Sequence, residues 1–176
     1  MEIRREQARD HDTVGAVHRA GFGGAHGETV ARLVEALRPD ALSLVAEEAG
    51  EVVGHIMFTR SLLDAPKRLL PVQVLSPLAV TPRWQRRGVG AALVHAGLKL
   101  LDEAGHPLVF LEGDPRYYSR LGFRAGGELD FRKPSLRIPD AAFQVMTLPA
   151  YEPWMTGTLV YSSTFWEHDC VGLREE

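Results

Sequence analysis

The chain has 176 residues, 45% of them hydrophobic, and a formal net charge of −3 at pH 7. This size and apolar content predict one globular domain, residues 1–176, with a sizeable core. The slight negative charge argues against broad electrostatic attraction to nucleic acid or to an anionic membrane. The single cysteine, Cys170, cannot form an internal disulfide, and we find no apolar leader or membrane-spanning run, so we expect a cytoplasmic protein.

The chain begins with a predicted strand and a predicted helix. Residues 2–6 are a short first strand, and residues 10–22 form a helix for which Asp10 is the expected N-cap. The predicted inner face of this helix comprises Val14, Val17 and Phe22.

A second helix and a hairpin follow. Residues 28–37 carry apolar side chains at the helical spacing i, i+3, i+4 and i+7, and Pro39 ends the helix. These side chains are Val30, Leu33, Val34 and Leu37. Residues 42–47 and 51–60 read as two strands joined by a tight turn at positions 49–50.

The middle of the chain reads as strand, helix, strand. Residues 72–80 are strongly β-like but contain Pro77, which cannot donate to a strand ladder and therefore favours a bulge or an unpaired edge. Residues 90–104 form the main helix, and residues 108–111 form a short, fully apolar strand. This order predicts that the two strands run parallel. The expected inner face of the helix comprises Leu93, Ala96, Leu100 and Ala104.

The last part of the chain begins with a short helix. Asp114 is placed to cap it, and Gly122 is placed just beyond its last turn. Residues 143–148 and 157–165 are predicted to pair with each other as closing strands. The polar, proline-broken stretch between Ala125 and Asp140 has no predicted element.

The turn before the main helix has the composition of an anion site. Backbone N–H groups at a helix N-terminus have no intrahelical partners and lie at the positive end of the helix dipole. Gly88 and Gly90 allow the backbone to approach a diphosphate closely, and Arg86 and Arg87 add positive charge. The pattern therefore predicts a site for a phosphate-bearing cofactor.

Two other classes of phosphate-binding loop have their own sequence requirements. A P-loop needs Lys-Ser/Thr after its last glycine, and Gly90 is followed by Ala91. A dinucleotide fingerprint needs a third glycine or alanine, where this chain has Leu93, although Glu112 lies at a suitable distance for the ribose contact. The P-loop is excluded, and dinucleotide binding remains an alternative.

Two motifs carry a resemblance to one known family. The first is the run Gln85-Arg86-Arg87-Gly88-Val89-Gly90-Ala91. It resembles the pyrophosphate loop of the GNAT superfamily of acetyl-CoA-dependent N-acetyltransferases. The second, Tyr118 followed by Gly122-Phe123, resembles the Tyr-x-x-x-Gly-Phe signature that ends the acetyl-CoA site in that family. The longer arrangement Gly-Asp-Pro-x-Tyr-Tyr-x-x-x-Gly-Phe is similar to one bacterial subgroup of predicted members.

The resemblance implies an α/β fold with a mixed, twisted sheet, helices on both faces and a splayed central pair of strands. Pro77 is compatible with such splaying, and a simple edge strand is the alternative. Backbone groups of the splayed strand would bind the pantetheine arm of acetyl-CoA. The implied cofactor-binding residues are Leu78, Ala79, Val80, Gln85, Arg86, Arg87, Gly88, Val89, Gly90 and Ala91.

The resemblance also implies a reaction, the transfer of acetyl from acetyl-CoA to a primary amine by direct attack in a ternary complex. Tyr118 would be the general acid that protonates the leaving thiolate; the alternative is a half-buried core aromatic. The general base is either Glu112 or a water relay. His55, on the third strand, is expected to be an ordinary strand residue, and the alternative is that it faces the substrate cleft. The seven histidines show no zinc-ligand spacing, and no metal is predicted.

The partner predicted in this way is a small-molecule or peptide amine, with a monomer or homodimer as the assembly. In the family the acceptor is chosen by the N-terminal helices, the loop after the third strand (here residues 61–70) and the closing strands. A hypothesis from another class is a catalytically silent acyl-CoA-binding sensor or regulatory module, which the absence of an obvious base leaves open.

Overall fold

The computed structural model describes residues 1–175, an α/β chain with a mixed nine-stranded sheet. The strands are β1 (Glu2–Arg5), β2 (Ala41–Glu48), β3 (Glu51–Asp64), β4 (Leu69–Val80), β5 (Leu108–Glu112), β6 (Arg124–Ala125), β7 (Phe131–Arg132), β8 (Phe143–Thr147) and β9 (Gly157–Val160). The α-helices are α1 (His11–Phe22), α2 (Gly24–Leu37), α3 (Val89–Glu103), α4 (Pro115–Tyr118) and α5 (Ser163–Glu167). No helix within residues 1–175 is long and apolar enough to cross a bilayer.

The strand order is β1-β2-β3-β4-β5-β8-β6, and β9 pairs with β3 and β7. The β4–β5 pair is parallel, as predicted, and β5 pairs with β8 in the antiparallel sense. The chain forms two compact units. The first comprises Met1–Thr59 and Leu75–Lys99, and the second comprises Arg60–Val74 and the described residues from Leu100 onward.

Within the first unit, helices cover both faces of β3. A side chain at Gly54 would meet Val89 and Leu93 of α3, so this position faces α3. The next residue, His55, contacts His18 of α1, because successive residues of a strand point to opposite faces. The helices on both faces confirm the fold class that the sequence predicted.

The predicted hairpin between β2 and β3 is confirmed. Ala49 and Gly50 form its turn with positive φ angles of 50° and 80°, as the two central residues of a type I′ turn require. The buried stripe of α2 is also the predicted one, since Val30 and Leu33 are both buried.

Several helix details differ from the prediction. The second helix begins at Gly24 rather than at residue 28, because left-handed φ angles at Gly23 and Gly24 reverse the chain between α1 and α2.

On α1, Phe22 is 38% exposed, and His18 is buried in its place. Asp10 occupies the N-cap position of α1, but its carboxylate bonds Arg4 and the Gln7 amide rather than the amides of α1.

The inner face of α3 is rotated relative to the prediction. Leu93 is buried as expected, but Ala104 lies beyond the end of the helix and is exposed. The buried side chains of this helix are Val89, Leu93, Val94, Leu98 and Leu101. Gly97 explains the rotation, because the ring of Phe58 fills the space where a side chain at Gly97 would lie. The helix therefore turns Gly97 toward Phe58 of β3. The spacing of apolar residues does not predict this orientation, because glycine does not count as an apolar side chain.

The strand pairing of the C-terminal part also differs. The stretches predicted to pair with each other instead pair elsewhere, β8 with β5 and β6, and β9 with β3 and β7. Residues 163–167 form α5 rather than strand. The predicted loop 61–70 is mostly strand, since β3 continues to Asp64 and β4 begins at Leu69. The pattern of apolar residues predicts that a segment is a strand. Which strand it pairs with depends on contacts with residues that are distant in sequence.

We predict that Gly97→Ala destabilises the protein by about 1–3 kcal/mol, because the added methyl group overlaps the buried Phe58 ring. Gly15→Ala, also within a helix, is the matched control. Its nearest neighbour is the flexible end of Arg19, and alanine is favoured over glycine in helices by up to about 1 kcal/mol. Urea denaturation measures both changes, and equal effects would contradict the packing described here.

Candidate functional site

The predicted anion-binding loop lies directly before α3 in the first unit. A 3-10 turn at Pro82–Trp84 and a further turn lead from the end of β4 to Val89, the first residue of α3. Gly88 has a φ of 81°, and a Cβ built there meets nothing within 4 Å, so the backbone at this position borders open space. Arg86 also has a positive φ, of 60°. The glycine therefore supplies both a left-handed conformation and an unobstructed approach.

The side chains of the loop have different tasks. Gln85 Nε2 donates to the Val80 carbonyl at 3.0 Å and so ties the loop to the end of β4. The Arg87 guanidinium lies 5.1 Å from the centre of the Trp84 ring, a cation–π contact that holds it near the loop. Arg86 is exposed. The loop thus combines two exposed guanidinium groups with the unpaired amides of a helix N-terminus.

The pairing of β4 with β5 is short. It comprises Gln73 with Val109 and Val74 with Phe110, and it ends three residues before Pro77. β4 itself continues to Val80. Because β4 has β3 and β5 as neighbours in the sheet order, the alternative of a simple edge strand is wrong.

The backbone of Ala79 and Val80 is approached by α1, also within the first unit. A Cβ at Gly21 would lie 3.2 Å from Ala79 Cβ and 3.5 Å from the Val80 carbonyl oxygen. The absence of a side chain at Gly21 therefore allows α1 to pack against the end of β4.

Tyr118 lies at the end of α4 in the second unit, and the local signals predicted for this helix are present. The Asp114 side chain accepts from the Arg116 amide at 2.9 Å, and Gly122 ends the turn with a φ of 97°. The ring of Tyr118 packs so closely on Gly113 that a Cβ there would lie 2.6 Å from its Cε2 atom. Burial raises the pKa of the Tyr118 hydroxyl. The phenol is therefore protonated at neutral pH, which is the form a general acid requires.

Glu112 is in the second unit at the end of β5, and both its oxygens are engaged. The Tyr161 hydroxyl donates to Oε1 at 3.2 Å, and the Gly172 amide donates to Oε2 at 3.0 Å. Burial raises the pKa of this carboxyl group even though these donors favour its ionised form. These bonds tie the C-terminal segment to β5, which is a structural use of the carboxylate.

A buried network in the first unit was not predicted. His18 Nε2 lies 2.7 Å from His55 Nδ1, and His55 Nε2 lies 2.7 Å from Ser43 Oγ. The Ser43 hydroxyl donates to Glu6, whose other oxygen accepts from Arg38 Nε at 3.1 Å. The sequence does indicate that His18 is buried, because it lies four residues after the buried Val14 and therefore on the same face of α1.

The network is neutral apart from its carboxylate and guanidinium. Burial lowers the pKa of His18 to about 3 and also lowers the pKa of His55. Burial alone would raise the pKa of Glu6, but the nearby His55 and the hydrogen bonds from Ser43 and Arg38 lower it to about 2. At neutral pH Glu6 is therefore ionised and both imidazoles are uncharged. His55 is a member of this network rather than an ordinary strand residue.

Among the residues that the structure describes, no group of three or more His, Cys, Asp or Glu side chains is placed to hold a metal ion. Cys170, the single cysteine, is free and partly buried, and burial raises the pKa of its thiol. A raised pKa leaves less of the reactive thiolate at neutral pH.

A family model, a curated relative and solved structures all match this chain to N-acetyltransferases. Residues 2–126 match a family model described as "Acetyltransferase (GNAT) domain". The chain is 35% identical over 155 residues to the uncharacterized N-acetyltransferase YjhQ of Escherichia coli (strain K12), with 84% of each chain covered.

Two solved structures are also similar. One is the GNAT family N-acetyltransferase YhbS from Escherichia coli in complex with CoA, with a TM-score of 0.83, 32% identity and coverage of 93% of this chain and 91% of that chain. The other is a GNAT family acetyltransferase from Brucella melitensis in complex with acetyl-CoA, with a TM-score of 0.74, 32% identity and coverage of 93% and 97%.

We predict that the free energy of unfolding falls as the pH is lowered from about 6.5 toward 3. Over this range unfolded His18 binds a proton, whereas folded His18, surrounded by His55, Glu6 and Arg38, stays neutral until about pH 3. One such proton changes the unfolding free energy by about 1.4 kcal/mol per pH unit. The stabilisation from Glu6 is complete above its unfolded pKa of 4.5 and is lost as the pH falls toward 2.

His18→Gln is expected to reduce this slope by about one proton between pH 6 and 4. His95→Gln, at an exposed position of α3, is the control and should keep the wild-type slope. Urea denaturation at a series of pH values measures both, and equal slopes in the two variants would contradict the assignment.

Proposed function

The chain belongs to the GNAT family of N-acetyltransferases, and on this basis we propose that it transfers acetyl from acetyl-CoA to a primary amine by direct attack in a ternary complex. The observation that carries the proposal is the loop before α3, with an open left-handed glycine at Gly88 beside exposed Arg86 and Arg87. The similar structures in complex with CoA and acetyl-CoA support the same ligand for this chain.

The proposed cofactor site has two parts. The diphosphate lies against the amides of Val89, Gly90 and Ala91, where a helix N-terminus supplies unpaired donors. The pantetheine arm bonds the backbone of Leu78, Ala79 and Val80, in the part of β4 that continues beyond its short ladder with β5. The two arginines neutralise the diphosphate charge, and Gln85 keeps the loop attached to the strand.

In the proposed reaction the amine nitrogen attacks the thioester carbonyl carbon. A C–N bond forms and the C–S bond breaks, and the oxyanion is held by a backbone N–H near Leu78. The departing thiolate takes the proton of the Tyr118 hydroxyl, which solvent then restores. A simple thiol titrates at roughly 8.5 and an ordinary tyrosine at ~10, and burial raises the pKa of Tyr118 further, so the phenol is still protonated when the thiolate forms. Glu112 or a water relay removes the proton from the amine.

We propose that residues 1–176 act as one N-acetyltransferase domain, supported by the similarity to YhbS over 93% of the chain. The run Gly113-Asp114-Pro115 before the two tyrosines supports the bacterial subgroup. A small-molecule or peptide amine as the acceptor, a monomer or homodimer as the assembly and a cytoplasmic location stay predictions from the sequence.

We predict that Gly88→Glu weakens acetyl-CoA binding by at least about tenfold, because its carboxylate repels the diphosphate. Gly50→Glu is the matched control, since Gly50 also has a positive φ and open space around it but lies in the β2–β3 turn. Calorimetric titration with acetyl-CoA measures both variants. If the wild-type protein bound no acetyl-CoA, or if both variants bound it equally well, the loop assignment would be wrong.

We predict that Tyr118→Phe lowers turnover by about 10²–10⁴-fold and leaves the Kd for acetyl-CoA within about twofold of wild type. Tyr117→Phe is the control, because that side chain is 40% exposed and is not in the signature register. Release of CoA in the presence of a panel of amines is the assay. Unchanged turnover in Tyr118→Phe would remove the general acid. Binding of acetyl-CoA without CoA release by the wild type would favour the silent sensor.

A further inference from the structure

The buried network of the first unit ends in one atom without a partner. His18 Nδ1 is buried and has no hydrogen-bond partner among the described residues. His18 itself has no exposed surface. Buried polar atoms are almost always paired, and leaving one unpaired costs free energy. His18 Nδ1, at the end of this line of linked side chains, is therefore a candidate for binding a further group.

The direction of every hydrogen bond in the network follows from Glu6. Because its carboxylate is ionised, it only accepts, so the single Ser43 hydroxyl proton points to Glu6. Ser43 Oγ must then accept from His55 Nε2, which leaves His55 Nδ1 as an acceptor. His18 Nε2 in turn donates to His55 Nδ1. The carboxylate thus fixes both tautomers, and His18 Nδ1 presents a lone pair.

The position of His18 links this lone pair to the proposed cofactor site. His18 lies one turn before Gly21 on the same face of α1, and Gly21 packs against Ala79 and Val80 of β4. Phe22 lies beside His18, with ring centres 6.0 Å apart and nearly parallel. Phe22 is partly exposed, and the binding proposed below requires its ring to move off His18 by a change of rotamer.

We propose that His18 Nδ1 accepts a hydrogen bond from the N–H of the acceptor amine and so orients the nitrogen lone pair toward the thioester. His55, Ser43 and Glu6 act as positioning residues that hold His18 in the accepting tautomer. The assignment rests on the proposed acetyl transfer. No covalent bond forms or breaks at His18, and the acetyl group passes directly from sulfur to nitrogen.

The network also selects the chemical form of the amine. Its one carboxylate, Glu6, is already paired with Arg38, so no uncompensated negative charge is left to hold an ammonium ion. Burial disfavours charged groups, and the site therefore takes the uncharged amine, which is the nucleophilic form. Burial keeps both imidazoles neutral in the same way.

Two substitutions of His18 separate this role from a structural one. The side-chain amide of glutamine reaches the position of Nε2, so His18→Gln keeps a donor to His55 but has no acceptor at the Nδ1 position. The shorter asparagine reaches the position of Nδ1, so His18→Asn keeps an acceptor there and loses the bond to His55. A structural role predicts that His18→Gln is the more active variant, whereas the proposed role predicts that His18→Asn is.

The assay is CoA release with spermidine, glycinamide, kanamycin and a peptide with a free N-terminus, continued with the amine that the wild-type protein acetylates fastest. We expect His18→Gln to lose about tenfold or more in kcat/KM for that amine. We expect its Kd for acetyl-CoA and its Tm to stay near wild type and His18→Asn to retain more activity. Wild-type activity in His18→Gln, or lower activity in His18→Asn than in His18→Gln, would overturn the proposal.

A second measurement does not depend on turnover. In protein labelled with ¹⁵N-histidine, the His18 signals, identified by their loss in His18→Gln, should report a protonated Nε2 and a bare Nδ1. Adding the same four amines should shift the Nδ1 signal, and Glu6→Gln should mix the tautomers. A protonated Nδ1, or a signal that no amine moves, would overturn the proposal. Failure to bind acetyl-CoA would instead refute the proposed function, while the amine titration would still decide the assignment of His18.

Discussion

The first unit depends on a reciprocal packing between α3 and β3, in which each element lacks a side chain where the other has a large one. The Phe58 ring fills the space above Gly97, while Val89 and Leu93 fill the space above Gly54. Such close packing fixes the position of a helix, because interiors are packed at high density and tolerate little displacement. The N-terminus of α3 is therefore held at the end of β4, and the loop before α3 is held with it.

The opposite face of β3 is organised by polar rather than apolar contacts. One ion pair, Glu6 with Arg38, holds a line of hydrogen bonds that ends at His18 on α1. A buried polar chain is costly unless every member is paired, and here all but the last atom are. Gly21 then allows the same helix to lie against the end of β4. The two faces of β3 thus differ. Helix α3 packs on one face and carries the loop that precedes it, whereas α1 packs on the other face and carries His18, whose Nδ1 has no hydrogen-bond partner among the described residues.

In the second unit, Tyr118 is positioned by contacts between residues that are close in sequence. The Asp114 cap and the left-handed Gly122 bound a single turn of helix, and Gly113 leaves room for the ring of Tyr118. Glu112, one residue earlier, is bonded by the C-terminal segment. The tyrosine is therefore placed by local geometry, whereas the carboxylate beside it helps to anchor the end of the chain.

The sequence by itself determined the family, the strand–loop–helix order around Gly88 and the caps of the short helix before Gly122. These features are written in residues at most a few positions apart, because a turn or a cap depends on local dihedral angles and local hydrogen bonds. Only the tertiary structure decided the partners of β8 and β9, the inner face of α3 and the place of His18 in a buried network. Each of these depends on residues far apart in the chain, such as Phe58 opposite Gly97, and a local pattern carries no information about which distant side chain will meet it.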